Sequence, residues 1–287
     1  MITTLDNALT QAMEETVERA LAEDIGQGDV TSQLLVPAEK HAEMQIVSRE
    51  TICVCGTAVA AMVFRRLGAD ITIKLLANDG DIVHEKQAII SLSGAARELL
   101  AGERVLLNLM QRMSGVATLT RRYADAIAHT KAALLDTRKT MPGLRLIDKY
   151  AARTGGAQNH RMRLDDMVLI KDNHIALCGG VARAVEKARS GLNKPLPIVV
   201  ECDTLSQVQE ALKYQPDRLL LDNMTNQQLA EAVKLSGGKI PLEASGGVDL
   251  TTIASIAETG VDFISVGALT HSAPAVDIGA DVVMGAG

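Results

Sequence analysis

From about residue 132 to residue 267, short apolar runs alternate with amphipathic helical segments, and no other feature constrains the fold as tightly. The runs AALLDT, MVLIKD, PIVVECD, RLLLDN, IPLEAS and DFISVG are nearly continuous in Leu, Ile and Val, as strands buried on both faces of a parallel sheet must be. Between them lie VARAVEKARS, LSQVQEALKY, NQQLAEAVKL and DLTTIASIAETG, whose apolar positions fall at helical spacing. This alternation is that of an α/β barrel. A doubly wound open sheet would also alternate, but it would carry a glycine-rich nucleotide loop after its first strand, and AALLDTRKTMPG is not one. With six clear strands, the barrel is expected to be incomplete, with seven strands or so.

The first hundred residues follow another rhythm. A helix over about residues 6–23 places Leu9, Met13, Val17, Ala20 and Leu21 on one face. The turn-rich DIGQGDVTS is followed by AEMQIVSRE, GTAVAAMVFRRLG, ADITIKLLAND and DIVHEKQAIISLSG, which read as strand, helix, strand, strand. That order predicts a small α/β sandwich. One or two long helices follow in AARELLAGERVLLNLMQRMSGVATLTRRYADAIAHT, with Met110 and Met113 as core filling. The expected organisation is a sandwich domain over residues 1–102 and a barrel domain over 103–274, with 275–287 as a candidate return to the first domain.

The 47% apolar content suffices for a full core, and no apolar stretch is long enough to span a bilayer. With an N-terminus lacking a basic leader, a cytoplasmic protein is expected. A formal charge of -6, three Tyr, two Phe and no Trp argue against a nucleic-acid partner, and none is expected. Cys53, Cys55, Cys178 and Cys202 are too few and too irregularly spaced for a disulfide scaffold or an all-cysteine zinc site. Cys53 and Cys55 read as small core residues.

Within this acidic chain, residues 136–174 gather Arg138, Lys139, His160, Arg161 and Lys171. Reacting groups of α/β barrels sit where strands end and loops begin. In order, those ends carry Asp136, Arg138 and Lys139; Lys171 and Asp172; Glu201 and Asp203; Asp222; Glu243 and Ser245; Ser265 and Gly267. Arginine forks pair bidentately with carboxylate or phosphate and lysine acts as a movable point charge, so this cluster suits a small ligand with more than one carboxylate. Glu201 and Asp222, ending consecutive strands, are candidate Mg2+ ligands against substrate phosphate oxygens, or else partners of the basic cluster. EASGGV and SVGALT each place small residues directly after a late strand, where backbone N–H groups can close on phosphate.

The strings EDIGQGDVTS, ERVLLNLMQRMSGVAT, DTRKTMPGLR, GGAQNHR, LIKDNH, ECDT, LLDNM, EASGGV and SVGALTHSAPAVDIGAD occur in this order and are spread over residues 23–281. In them the sequence resembles the quinolinate phosphoribosyltransferases, the decarboxylating enzymes of NAD biosynthesis. The resemblance implies transfer of a phosphoribosyl group from phosphoribosyl pyrophosphate to quinolinate, with Mg2+ as cofactor, in a homodimer with shared active sites. It further implies that Arg138, His160, Arg161 and Lys171 bind the two quinolinate carboxylates and that Arg104 reaches in from the partner subunit. Lys139 would face the pyrophosphate, Glu201 and Asp222 would serve Mg2+ and the ribose hydroxyls, and Ser245, Gly246, Gly247, Gly267 and His271 would receive the 5'-phosphate region, with Thr137 and Ala268 also among the substrate-binding residues. Of these, Lys139, Lys171, Glu201 and Asp222 are expected to carry the catalysis.

Arg153 and Arg163 are expected at the surface. Three other readings use the same residues: a related barrel associated with molybdate uptake, a non-catalytic polyanion-binding barrel, and an aldolase using Lys139 or Lys171 as a Schiff base.

Overall fold

The N-terminal apolar stripe forms helix α1 (Asn7–Ile25), which buries Leu9, Met13, Val17 and Leu21 and is capped by Asp6, whose carboxylate accepts the Leu9 N–H at 2.8 Å. The computed structural model of the protein describes residues 6–283. After α1 come α2 (Val30–Leu35), β1 (His41–Ser48), β2 (Ile52–Cys53), α3 (Ala58–Arg66), β3 (Thr72–Leu75), β4 (Ile82–Val83), β5 (Ala88–Ala95) and α4 (Ala96–Ala126). The alternating part follows with β6 (Ala133–Leu135), α5 (Arg145–Gly155), β7 (Val168–Ile170), α6 (Asp172–Cys178), α7 (Val181–Gly191) and β8 (Ile198–Cys202). It continues through α8 (Leu205–Lys213), β9 (Arg218–Asp222), α9 (Asn226–Ser236), β10 (Leu242–Ser245), α10 (Ile253–Ala257), β11 (Phe263–Ser265) and α11 (Ala268–His271) to β12 (Ile278–Val283).

These elements form two compact units. The first comprises the chain up to Arg121, Met141–Gly155 and the chain from Ser272; the second comprises Arg122–Thr140 and Gly156–His271. The division expected at 102/103 falls inside α4, a single helix of 31 residues. Gly102 marks no hinge there: a Cβ on it would press into Phe64 and Val63 of α3, so its smallness serves packing.

In the first unit β12, β1, β5 and β3 pair in that order as an antiparallel sheet. The buried cross-strand pairs Met44–Leu92 and Ile46–Ile90 fix the β1–β5 register. A second ladder joins β2 to β4. Ser114 and Thr118, one turn apart on α4, accept the N–H groups of Cys55 and Cys53, each at 2.9 Å. Both cysteines are buried, as expected of core residues.

Two local expectations differ from the structure. The last three residues of the turn-rich DIGQGDVTS, Val30, Thr31 and Ser32, begin helix α2, because Asp29 caps it by accepting the Ser32 N–H at 3.0 Å. DIVHEKQAIISLSG, read as one strand, splits into β4 and β5, with Lys86 between them at a positive φ of 68°.

The second unit carries a parallel sheet in the order β6-β11-β10-β9-β8-β7. A bridge from Gln158 to Leu135 adds a short segment beside β6, completing an incomplete α/β barrel of six strands and one bridge. All five residues of β8 are buried, as its apolar run Ile198-Val199-Val200 predicts, and the one charge among them, Glu201, is paired with Lys171. Helices α8 and α9 start at capping boxes, Thr204 with Gln207 and Thr225 with Gln228, so the chain turns sharply after β8 and β9. Such turns keep the strand ends open to one mouth. None of the described helices is long and apolar enough to cross a membrane.

Candidate active site

Side chains alternate along a strand, so residues two apart share a face. Leu169 with Lys171, Leu220 with Asp222, Glu243 with Ser245, and Ser265 with Gly267 therefore project together, and they line one cavity of about 670 Å³ in the second unit. The loop after β6 adds Thr137, Arg138 and Lys139, the segment after Gln158 adds His160 and Arg161, and β8 adds Glu201. Gly246, Gly247 and Val248 follow β10, and Val266, Ala268 and His271 complete the wall around the start of α11. Every residue that the resemblance assigns to substrate or Mg2+ lines this cavity except Arg104; Asp136, Asp172 and Asp203, also placed at strand ends, do not. Arg104 lies on α4 in the first unit, exposed, with its guanidinium 3.9 Å from Glu103. Arg153 and Arg163 are exposed, as expected.

The backbone of three cavity cations is pinned by neighbouring side chains. Lys139 donates its N–H to Thr137 Oγ1 at 3.0 Å and accepts from Thr270 Oγ1 at 2.8 Å. The Arg161 N–H goes to His160 Nδ1 at 2.7 Å, and the Lys171 N–H goes to His174 Nδ1 at 2.9 Å. Each cation thus leaves a fixed point of the chain, which cuts the entropy lost when its head group meets a ligand.

Arg138 and Arg161 both line the cavity, near enough for the charge of one to act on the other. The Nε of Arg138 is buried and has no hydrogen-bond partner among the described residues. Burial, and then the neighbouring Arg138 charge, pull the Arg161 guanidinium below the ordinary arginine value, while Asp166 acts the other way. A buried donor without an acceptor, beside a second cation, is costly unless a ligand supplies negative charge.

The acidic residues divide into three settings. Glu201 pairs with Lys171, Nζ to Oε2 at 3.0 Å, so the basic cluster does claim one of the two expected Mg2+ ligands. Asp222, on the adjacent strand, accepts from the Asn223 amide at 2.6 Å. Among the described residues no three acidic, histidine or cysteine side chains form a metal cage. Two carboxylates on neighbouring strands fit Mg2+ of the kind that keeps substrate phosphate and water as its other ligands.

Glu243 is fully buried. Arg218, stacked 4.0 Å over the Phe263 ring, donates to its Oε2 at 2.9 Å, and His160 Nε2 lies 3.4 Å from its Oε1. The latter contact is an ion pair only when the imidazole is protonated, and its spacing is too long for a good hydrogen bond; Oε1 has no hydrogen-bond partner among the described residues. Burial pushes the Glu243 carboxyl up, but His160 and Arg218 together outweigh it and leave the group below its ordinary value.

Asp136 ends β6 but does not line the cavity. Its carboxylate is buried and accepts the His160 N–H at 2.8 Å and the Asn159 amide at 2.6 Å, fixing the segment that carries His160 and Arg161. The apolar wall of Leu169, Leu220, Val248 and Val266 was not singled out from sequence. For the first two the signal was present, since each stands two residues before a singled-out charge. Gly246 has a φ of +93°, and a Cβ there would collide with the Asn223 side chain, so the turn after β10 requires glycine. Cys202, behind Glu201, is buried, and its thiol is pushed up to about 12 by burial first and then by Asp203 and Glu201.

This arrangement is similar to that of known proteins along the whole chain. Residues 29–114 match the model of the quinolinate phosphoribosyl transferase N-terminal domain, and residues 116–281 match that of the C-terminal domain. The chloroplastic nicotinate-nucleotide pyrophosphorylase [carboxylating] of Arabidopsis thaliana is 43% identical over 288 residues, covering 94% of this chain and 82% of that one. The probable nicotinate-nucleotide pyrophosphorylase [carboxylating] of Bacillus subtilis is 40% identical over 272 residues, covering 95% and 94%. The solved structure of the nicotinate-nucleotide pyrophosphorylase from Francisella tularensis superposes with a TM-score of 0.93 at 40% identity, covering 99% of each chain.

Proposed function

The chain belongs to the quinolinate phosphoribosyltransferase family, and from that membership and the cavity's chemistry we propose that it makes nicotinate mononucleotide for NAD biosynthesis. The reaction joins quinolinate to the ribosyl group of phosphoribosyl pyrophosphate and releases pyrophosphate and carbon dioxide. The observation that carries the choice of substrate is that Arg138 and Arg161 line one cavity, each within reach of the other's charge, with the buried Arg138 Nε unmatched among the described residues. A ligand with two adjacent carboxylates answers both.

The mechanism follows from where charge develops. As pyrophosphate leaves, C1' of the ribose becomes cationic, and Lys139 compensates the charge on the departing oxygens. Glu201 and Asp222 would hold Mg2+ there, and the chemistry it would supply is neutralisation of charge on the pyrophosphate oxygens. The pyridine nitrogen then attacks C1'. Once alkylated, the ring nitrogen is positive and stabilises the electron pair left at C2 when the 2-carboxylate departs as carbon dioxide; a proton delivered by water then takes that pair to give the C2–H bond, so no organic cofactor is required. Arg138, Arg161 and Lys171 hold the carboxylates, and Leu169 and Leu220 provide an apolar wall that keeps water from the reacting face. The turn Ser245-Gly246-Gly247, with Gly267, Ala268 and His271, receives the 5'-phosphate.

The reading extends to a cytoplasmic homodimer in which Arg104 enters the partner's cavity. The exposure of Arg104 and the four free cysteines support it. The decisive measurement is pyrophosphate release with Mg2+ and phosphoribosyl pyrophosphate, comparing quinolinate with nicotinate. Turnover is expected with quinolinate only; equal turnover of nicotinate, or none with either, would overturn the two-carboxylate assignment.

A further inference from the structure

Glu243 is placed unlike the other cavity carboxylates. In the sheet register Glu201, Leu220, Glu243 and Phe263 form one row across β8, β9, β10 and β11, and Arg218 stands two residues below Leu220 on the same face. Arg218 is thereby stacked on Phe263 and donates to Glu243 Oε2, while the other carboxylate oxygen faces His160 Nε2. At the far side of the imidazole, Nδ1 accepts the backbone N–H of Arg161. A ring nitrogen that accepts carries no hydrogen, so in the neutral ring the hydrogen sits on Nε2, the nitrogen 3.4 Å from Glu243 Oε1, where the carboxylate attracts it electrostatically across a gap too long for a good hydrogen bond.

An ion pair this deep contributes little to stability compared with apolar residues of the same volume. What it does supply is an acceptor at one fixed point beneath the imidazole. We propose that Glu243 and Arg218 are positioning residues for the dicarboxylate end of the cavity: they hold His160 in its Nε2–H tautomer, so that Nδ1 anchors Arg161 beside Arg138. This rests on the function proposed above for the substrate it names, but the tautomer itself does not. Arg218 fixes Glu243, Glu243 fixes the ring, and the ring fixes the backbone from which the Arg161 guanidinium extends.

The test has two readouts. Imidazole 15N spectra of the unliganded protein, with His160 assigned by loss of its signals in His160→Gln, are expected to show Nε2 protonated and Nδ1 bare; a protonated Nδ1 in a neutral ring overturns the relay whatever the reaction. In kinetics, Glu243→Gln is expected to raise the KM for quinolinate about tenfold or more, with kcat and the KM for phosphoribosyl pyrophosphate within about threefold. An unchanged quinolinate KM overturns the proposal. The double variant Glu243→Met/Arg218→Met removes both charges and separates folding from positioning. Its melting temperature is expected to recover relative to Glu243→Gln while its quinolinate KM stays high, and a KM restored to the parent value would show that the pair is only structural. A parent protein that does not turn over quinolinate would sink the functional reading alone, with the tautomer still deciding the relay.

Discussion

Lys171 Nζ lies 3.0 Å from Glu201 Oε2, tying the end of β7 to the end of β8. Each is therefore already engaged with the other before a ligand enters the cavity, and binding a substrate carboxylate at Lys171 means displacing Glu201.

Replacing Glu201 by Gln removes the competitor. Quinolinate binding in the absence of phosphoribosyl pyrophosphate is expected to tighten by roughly threefold to tenfold, about the worth of a charged hydrogen bond shared less. Turnover is expected to fall by about a hundredfold, because the Mg2+ and ribose side loses a carboxylate. Calorimetry and steady-state rates give the two numbers, and weaker binding in the variant would mean that Glu201 aids Lys171.

Arg161 is held beside Arg138 at an electrostatic cost that a dianion relieves. Quinolinate at about a hundred times its Kd should stabilise the parent by roughly 2.7 kcal/mol. Arg161→Leu is expected to melt no lower than the parent without ligand and to lose most of that ligand-induced rise. A variant that melts far lower without ligand would assign Arg161 to folding.

Burial, the leading cause in each case, pushes the thiols of Cys53, Cys55 and Cys202 up, the last to about 12. A raised thiol pKa means almost no thiolate at pH 8, so these three should resist alkylation in the native protein. Cys178, half-buried at the end of α6, is expected to react alone with iodoacetamide, and all four should react in denaturant. Mass spectrometry of the labelled peptides reads the result directly, and rapid native labelling of Cys202 would contradict the burial argument.

Gly246→Ala forces a side chain into a positive-φ turn against Asn223. A loss of about 1–3 kcal/mol is expected from the strain, visible in the denaturant midpoint. The KM for phosphoribosyl pyrophosphate should rise more than that for quinolinate, because this turn stands on the phosphate side.

Sharing of the site is tested by mixing Arg104→Ala with Lys139→Ala, each inactive alone. In a dimer with random exchange about half the molecules are mixed and each of those regains one intact site, so roughly a quarter of parental activity should return. No recovery, after exchange has been demonstrated by native mass spectrometry, would count against Arg104 acting across the interface.

Several of these features were readable in the chain. Continuous apolar runs marked the buried parallel strands and where each ended, so the charges at the ends of β7, β8 and β9 had to gather at one mouth once the strands lay parallel. The same logic placed Ser245 and Gly267 there, and the bulk of α1 in a core. The paired glycines after β10 announced a tight turn because only glycine tolerates that backbone.

Other features depend on groups far apart in sequence. That α4 continues past Gly102 follows from its packing on Phe64, and the inclusion of Met141–Gly155 in the first unit is equally a tertiary fact. Composition could mark Glu201 and Lys171 as charged but not as each other's partner, since their meeting requires the β7–β8 register. Likewise His160 carried no sign of its tautomer, which depends on an N–H one residue away and a carboxylate 83 positions on, at Glu243. The sequence by itself determined the elements, their faces and the kinds of charge at the barrel mouth, because these follow from local periodicity and side-chain chemistry. Tertiary structure alone decided which charges are paired, which are left waiting and how each is aimed, because electrostatic partnership depends on distances of a few ångströms that only the assembled sheet defines.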